Sequence, residues 1–152
     1  MRQTIWVDGW QQQCCGAPFA VGSAVEWTLR AFDGEWLRGL LGDRGHVPVD
    51  GAEEHHDGVH QETPITLGVV AAIEAVHCRL SAGSPREPVP GTGTRSAVTA
   101  ADVQDTGNDD RMFLGYVVTL EDCRTVEATE LRRRRGRERK AKKRGGARHW
   151  RG

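Results

Sequence analysis

Hydrophobic residues fall into four blocks along the chain, and the first two have the pattern of short β-strands. Residues 3–10 alternate between apolar and polar positions and are rich in β-branched and aromatic side chains. After a turn at Val21-Gly22-Ser23, residues 25–30 show the clearest alternation, with Val25, Trp27 and Leu29 on one face. A period of two residues is typical of a strand with one buried face.

The third block, residues 65–80, is ambiguous, whereas the fourth is not. Apolar residues of the third block recur at helical spacing, as at Val69 and Ile73, yet most of them are β-branched, which favours a strand. We predict one long, bent strand there. Residues 112–121 predict another strand, with a bulge at Gly115.

One short helix and two long loops complete the pattern. Residues 34–42 predict a helix whose apolar face holds Trp36, Leu37, Leu40 and Leu41. Residues 43–63 and 81–111 lack periodicity and are predicted to be loops, either disordered or functional. Four or five short strands with one small helix predict a mainly β fold, a small SH3-like or OB-like barrel, which removes exposed sheet edges.

Length and composition narrow the class of protein. The chain has 152 residues, of which 38% are hydrophobic, with 19 Gly and 6 Pro. The predicted barrel, residues 1–125, is long enough for one domain with a core and too short for two. No stretch approaches the roughly 18 apolar residues that cross a bilayer, and the amino terminus lacks a secretory pattern. We therefore expect a cytoplasmic protein with no membrane contact and reduced cysteines.

Residues 10–27 carry the densest cluster of tryptophan, glutamine and cysteine. They predict a turn between two strands rather than regular structure. Two interpretations stay open. Trp6, Trp10, Cys14 and Cys15 form a surface that binds a protein or small ligand, or the tryptophans fill the core and the cysteines are small buried hydrophobes.

The chain resembles an uncharacterised family of small actinomycete proteins in three runs, WQQQCCGAPFAVGSAVEW, GVVAAIEAVHCR and FLGYVVTLED. The CCGxPF element is the distinctive part. Since this family has no assigned activity or catalytic residues, the resemblance implies none. The resemblance supports a domain boundary near residue 125, and it leaves the basic segment after that boundary as a peculiarity of this protein.

Acidic and histidine residues cluster in the first predicted loop: Glu53, Glu54, His55, His56, Asp57 and His60. His56 and His60 have the i, i+4 spacing of zinc ligands on a helix, but Gly51 and Gly58 argue against a helix and no HExxH motif is present. A solvated acidic loop is the favoured interpretation, and His55, His56 and His60 are the alternative as metal ligands.

Other chemical motifs are weaker still. Structural zinc sites use C-x₂₋₄-C pairs, which the four cysteines (Cys14, Cys15, Cys78 and Cys123) do not form. A nucleophilic Cys15 activated by His77 needs a contact that sequence does not show. Residues 90–96, PGTGTRS, lack the third glycine of a dinucleotide fingerprint. We expect no cofactor and no enzymatic activity.

The net charge of zero is the sum of two segments of opposite charge. Residues 1–131 carry a net charge of −11, and the chain from Arg132 onward carries +11, with Glu138 as its one acid. Residues 126–152 predict a basic tail that is disordered, or helical only when bound.

A tail of this charge predicts non-specific nucleic-acid contact, because neutralised phosphates release counterions. The cations expected to make it are Arg132, Arg133, Arg134, Arg135, Arg137, Arg139, Lys140, Lys142, Lys143 and Arg144. The alternatives are a solvated tail that aids solubility and a tail that lies on the acidic body of the same chain.

Overall fold

The computed structural model describes residues 1–55, 62–102 and 110–146. Over these residues the chain forms nine strands and three helices. In chain order they are β1 (Gln3–Asp8), α1 (Gly9–Cys15), β2 (Phe19–Ala20), β3 (Ala24–Trp27), β4 (Leu29–Arg30), α2 (Gly34–Leu41), β5 (Gly51–Glu53), β6 (Ile65–Cys78), β7 (Thr94–Val98), β8 (Ala100–Ala101), β9 (Met112–Val126) and α3 (Ala128–Gly146).

Seven of the strands form one curled sheet, and the predicted mainly β fold is confirmed. The strand order is β3-β6-β9-β1-β5-β4, with β7 also paired to β6. β3 and β4 stand at opposite ends of this order, yet only Thr28 separates them in the chain. The amide of Glu54, just after β5, donates to the carbonyl of Thr28 at 2.9 Å. One bent segment therefore holds both ends of the sheet, which gives it the shape of a half-barrel.

Two long antiparallel strands, β6 and β9, form the frame of this sheet. They pair from Ile65 opposite Val126 to Cys78 opposite Met112, with three register shifts along the way. The ambiguous third block is thus a strand, as its β-branched residues indicate. One register shift leaves Leu114 as the extra residue of β9, beside the predicted bulge position Gly115.

Both faces of the sheet bury apolar side chains. Ile5 and Val7 pack with residues of β6 and β9 on one face of the sheet, whereas Trp6 points to the opposite face. There it meets Leu37 and Leu40 of α2, the predicted short helix. Asp33 caps this helix by accepting from the amide of Glu35. The period of two in β1 therefore divides its residues between two apolar layers.

The structure corrects the predictions for three regions. The loop prediction for residues 43–63 missed β5, a three-residue strand that pairs in parallel with β1, and that for residues 81–111 missed β7 and β8. Strands this short give no periodic signal. The predicted strand over residues 25–30 is divided at Thr28, where the chain passes from one end of the sheet to the other.

Residues 9–15 form the helix α1, so the turn predicted there is incorrect. This helix buries Gln11 and Gln12 instead of an apolar stripe, which explains why hydrophobic periodicity did not indicate it. The side chain of Gln12 donates to the carbonyl of Ala17 at 3.0 Å. The amide of Gly16 closes the helix by donating to the carbonyls of Gln11 and Gln12.

The basic tail is helical from Ala128 to Gly146, whereas the sequence predicts a tail that is disordered or helical only when bound. Arginine and lysine are good helix formers, and their propensity outweighs the repulsion on which that prediction rested. A boundary near residue 125 stays a prediction, although α3 begins just after β9 ends at Val126. Within the described ranges, no helix is long and apolar enough to cross a membrane.

Candidate functional site

A cavity of about 550 Å³ opens beside α1, where the segment after this helix faces β3 and β5. Pro18 and Val25 contribute apolar surface to it. The lining residues that have reactive, charged or aromatic side chains are Cys15, Phe19, Glu26, Trp27, Glu53 and His55. A volume of this size accommodates a small molecule.

Two aromatic rings form one side of the cavity. Phe19 and Trp27 meet edge to face with centroids 5.1 Å apart, and Phe19 continues into the core at Tyr116. These contacts fix the ring positions, because edge-to-face pairs are favourable arrangements of aromatic quadrupoles. The cavity therefore has a rigid aromatic surface on which a ligand can rest.

A buried carboxylate faces this aromatic surface from β5. Glu53 is only 6% exposed, and its two oxygens lie 2.9 and 3.0 Å from Nδ1 of His55. If Glu53 is ionised, it accepts this hydrogen bond from an Nδ1–H of His55, because a carboxylate has no proton to donate. The pairing keeps a carboxylate at the cavity wall that would otherwise be costly to bury.

A network around Arg30 anchors α1 beside the cavity. Arg30 lies 3.1 Å from a carboxylate oxygen of Asp8 and 3.1 Å from one of Glu54. The same oxygen of Glu54 accepts from the side chain of Gln11 at 3.4 Å, and Asp8 also accepts from the indole of Trp6 at 3.0 Å. Residues from β1, β4, α1 and the end of β5 are thereby joined.

The vicinal cysteines lie at the carboxyl end of α1, and both are exposed. The Cys15 thiol donates to the sulfur of Cys14 at 3.1 Å. This hydrogen bond, followed by desolvation and the charges of Cys14 and Glu53, raises the pKa of Cys15 to about 11. Cys15 is therefore a protonated thiol at neutral pH rather than a resting nucleophile.

Cys15 and His77, considered from the sequence as a nucleophile and its activating base, lie in different surroundings. Cys15 lines the cavity with His55, whereas the ring of His77, on β6, packs against Phe113 at 5.6 Å. Cys78 and Cys123 are buried, and burial raises the pKa of each thiol.

Of the four residues of the predicted Trp/Cys surface, Trp6 is buried and the three on α1 are exposed. Trp6 is 1% exposed and packs against Phe32 and Trp36 at centroid distances of 5.8 and 5.7 Å. Trp10, in contrast, is 60% exposed. Trp6 thus belongs to the core, as in the second interpretation of the sequence, whereas Trp10, Cys14 and Cys15 lie at the surface.

The sequence did not identify Glu26, Trp27 and Glu53 as members of one site. Trp27 carries a usable signal, because the period of two places it on the same face as the buried Val25. Glu53 was singled out only as part of the acidic and histidine cluster with His55, and Glu26 carries no signal, since a carboxylate on a strand is common on surfaces.

Among the metal candidates, His55 contacts Glu53, whereas His56, Asp57 and His60 lie outside the described residues. In the part of the chain that the structure describes, no three histidine, cysteine, aspartate or glutamate side chains are grouped to hold a metal ion.

The second candidate surface is the helix α3. All ten cations of the predicted nucleic-acid surface are on this helix and exposed. Arg134 pairs with Glu130 of the same helix at 2.6 Å, whereas Arg135 pairs with Glu26 of β3. The Glu26 side chain is exposed on β3, so Arg135 connects the basic helix to the strand at one end of the sheet.

Residues 1–122 match the model of a family described as a family of unknown function, DUF6578. The chain belongs to this family. The match confirms the predicted membership of a family of unknown function, while an actinomycete source stays a prediction. It covers α1 and every strand that lines the cavity and ends before α3 begins. No curated protein and no solved structure matches the chain.

Proposed function

We propose that this protein is a non-enzymatic binding protein that contacts nucleic acid through α3, without strong sequence preference. The observation that supports the proposal is the exposure of ten arginine and lysine side chains along one helix of 19 residues. At 1.5 Å per residue such a helix is about 28 Å long, enough to follow several phosphates. The proposal includes a cytoplasmic location, where nucleic acid is accessible.

The charges of α3 favour a polyanionic partner over a second protein surface. Neighbouring cations at i, i+3 and i, i+4 repel each other, and Glu130 and Glu138 are the acids within the helix. Phosphates relieve that repulsion and release counterions, which makes binding favourable at low salt. Arginine also binds phosphate through two parallel hydrogen bonds.

Sequence preference is expected to be weak, because the cations surround the helix rather than forming one face. A helix that reads base edges presents a few side chains from one face to the major groove. In α3, the run from Arg132 to Arg135 covers a full helical turn. Such a helix contacts phosphates, which position a protein on nucleic acid but carry no sequence information.

The test is a fluorescence-anisotropy titration of random-sequence DNA and RNA with the full chain. The variant replaces the ten cations of α3 with glutamine, which preserves helix propensity, and the control replaces the exposed Arg44 and Arg86 of the body. If about six phosphates are neutralised, the logarithm of affinity falls with the logarithm of salt concentration with a slope of about −5.

We expect the ten-glutamine variant to lose both binding and salt dependence, while the control retains them. Equal binding by the two variants would contradict the proposal and place the binding on the body, residues 1–131. Tight binding of one sequence out of a random pool would contradict the expected lack of preference.

A further inference from the structure

Two thiols lie side by side next to the cavity beside α1. Cys14 and Cys15 end this helix, both are exposed, and their sulfur atoms are 3.1 Å apart. Cys15 is also one of the residues that line the cavity. The pKa of Cys15 is raised first by its hydrogen bond to Cys14 and, among smaller causes, by the charge of Glu53, another lining residue. The Cys15 sulfur is therefore within electrostatic reach of the cavity wall.

The end of α1 is held in place, which fixes the arrangement of the two sulfurs. The amide of Gly16 donates to the carbonyls of Gln11 and Gln12, and the side chain of Gln12 donates to the carbonyl of Ala17 at 3.0 Å. A Cβ at residue 16 would overlap the side chain of Gln12, so this side chain packs directly on the glycine. A ligand that takes both sulfurs from a preorganised pair loses less entropy than one that must bring two mobile thiols together.

The spacing of the sulfurs favours a ligand atom whose two bonds to sulfur enclose a small angle. With bonds of about 2.3 Å, a linear ion holds two sulfurs about 4.6 Å apart and a tetrahedral ion holds them about 3.8 Å apart. A pyramidal centre, whose bonds are nearly at right angles, needs a separation of only about 3.3 Å for the same bond length. The 3.1 Å between Cys14 and Cys15 is nearest to the pyramidal case. Trivalent arsenic is a centre of this kind.

The protons of the thiols also favour an arsenical over a metal ion. Thiols must lose their protons to bind a metal ion, which the raised pKa of Cys15 opposes. A trivalent organic arsenical in its hydrated form carries one organic group and two hydroxyl groups, and it condenses with protonated thiols. Two As–O bonds break, two As–S bonds form, and each thiol proton leaves with a hydroxyl group as water. Arsenic stays trivalent, so the step needs no oxidant or reductant.

An organic arsenical also matches the number of ligands. Carbon fills its third valence, so it needs two sulfurs from the protein and nothing else. Within residues 1–55, 62–102 and 110–146, no three histidine, cysteine, aspartate or glutamate side chains are grouped to hold a metal ion. The dithiol of α1 therefore offers what this ligand requires.

The cavity provides a place for the organic group. Its volume is about 550 Å³, and Pro18 and Val25 add apolar surface to the edge-to-face pair of Phe19 and Trp27. An apolar group bonded to arsenic at Cys15 exchanges water for this surface, which is favourable. Such a group carries no charge, so it requires no carboxylate partner.

We propose that Cys14 and Cys15 bind a trivalent organic arsenical through both sulfurs, with its organic group in the cavity against Phe19 and Trp27. These four residues lie within residues 1–122, which match the family model. The site therefore belongs to the family domain, and it does not depend on nucleic-acid binding by α3.

The probes are phenylarsine oxide and methylarsine oxide, which hydrate to the dihydroxy form in water. Each is distributed between the reduced full chain and ethanedithiol, so the intrinsic strength of its arsenic–sulfur bonds cancels. Native mass spectrometry counts the bound arsenical, and circular dichroism shows that each variant is folded. Cys14→Ser and Cys15→Ser each remove one sulfur of the pair. Cys123→Ala, which removes a buried thiol elsewhere, is their control.

Trp27→Leu tests the cavity, and Trp10→Leu is its matched control. Trp10 is an exposed residue of α1, four positions before Cys14, and it is not one of the described residues that line the cavity. Both variants remove an indole from the neighbourhood of the dithiol. Only Trp27→Leu changes the aromatic surface of the cavity.

We expect the full chain to bind one equivalent of either arsenical. Relative to ethanedithiol it should prefer the phenyl compound roughly tenfold, because the phenyl ring buries more apolar area than a methyl group does. Each serine variant should bind at least about 100-fold more weakly, because the second bond to arsenic is no longer formed within one molecule. Cys123→Ala should bind as the full chain does. Trp27→Leu should lose most of the phenyl preference and keep its affinity for the methyl compound, and Trp10→Leu should keep both.

Three results would overturn the inference. Undiminished binding by either serine variant shows that the two sulfurs do not act together. Equal affinities for the phenyl and methyl compounds, relative to ethanedithiol, show that the cavity does not hold the organic group. An equal loss of the phenyl preference in Trp10→Leu and Trp27→Leu shows that the group lies on the outer surface of α1 instead of in the cavity.

Discussion

Gly115 of β9 leaves room for the indole of Trp6 on the neighbouring strand. A Cβ atom at residue 115 would lie 2.7 Å from Cζ2 of Trp6 and 2.4 Å from the carbonyl oxygen of Val7. Because one of these contacts is to backbone, a rotamer change does not relieve it. The close packing of β1 on β9, and the position of the largest buried side chain, therefore depend on a glycine at this position.

We expect Gly115→Ala to lower the free energy of unfolding by about 3 kcal/mol, since overpacking forces the backbone to shift. Gly39→Ala is the matched control, because Gly39 lies inside α2 and a Cβ there meets nothing within 4 Å. That substitution should raise the free energy of unfolding by about 0.5–1 kcal/mol through helix propensity. Urea unfolding of both variants measures the difference, and equal stabilities would refute the account of Gly115.

Arg30 joins β4 to Asp8 and Glu54, so its loss leaves two carboxylates facing each other. We expect Arg30→Gln to lower the free energy of unfolding by about 1 kcal/mol, a modest value because the side chain is partly exposed. Arg38→Gln is the comparison, since Arg38 makes only longer, exposed pairs within the described residues. In 1 M salt the difference between the variants should shrink, because salt screens exposed charges. A difference that does not depend on salt would mean that Arg30 acts through packing.

Cys15 should react slowly with iodoacetamide at neutral pH. The thiol donates to Cys14, which stabilises the protonated form and raises the pKa to about 11, so the rate should keep rising with pH beyond 9. Cys14→Ala removes the acceptor, and the pKa of Cys15 should fall toward its ordinary value. Cys14→Ser keeps an acceptor and should shift it less.

Tandem mass spectrometry resolves labelling at these adjacent positions over a series of pH values. At pH 8 the rate of Cys15 alkylation should rise by about tenfold or more in Cys14→Ala, because the thiolate fraction increases by that order when the pKa falls by one unit or more. An unchanged pH profile would show that the neighbouring thiol does not control Cys15.

Gly136 stands inside α3 with open space where a Cβ would be. Gly136→Ala should favour the helix by about 1 kcal/mol, and Gly136→Pro should disfavour it by about 3 kcal/mol relative to alanine. Circular dichroism at 222 nm on the full chain should show more helix in the first variant and less in the second. Identical spectra for both would mean that residues 128–146 are not helical in the unbound protein, in line with the predicted tail that is disordered or helical only when bound.

The sequence predicted the long strands better than the short elements. In β6 and β9 the abundance of β-branched and aromatic residues indicates a strand without knowledge of the neighbouring strands. These side chains fit the alternating faces of any strand. The three residues of β5 give no such signal, yet they pair in parallel with Ile5 and Trp6 and bring Glu53 to the cavity. In α1 the buried residues are glutamines, which no hydrophobic pattern marks.

The candidate cavity was the least predictable feature. Its members come from α1, β2, β3 and β5, and their approach depends on strand pairing between distant parts of the chain. Cys15 and His55, for example, are 40 positions apart. The pairing of Arg135 with Glu26 spans 109 positions and joins two regions that the charge counts had separated.

By itself the sequence determined the mainly β class, the amphipathic helix α2 and the separation of an acidic body from a basic segment. These follow from local alternation and from counting charges, which need no knowledge of neighbours in space. Only the tertiary structure decided that Trp6 is buried, that Trp27 and Glu53 share a cavity, and that Arg135 pairs with Glu26. The physical reason is that burial and pairing are fixed by contacts between residues far apart in the chain, and no local pattern encodes which of them will meet.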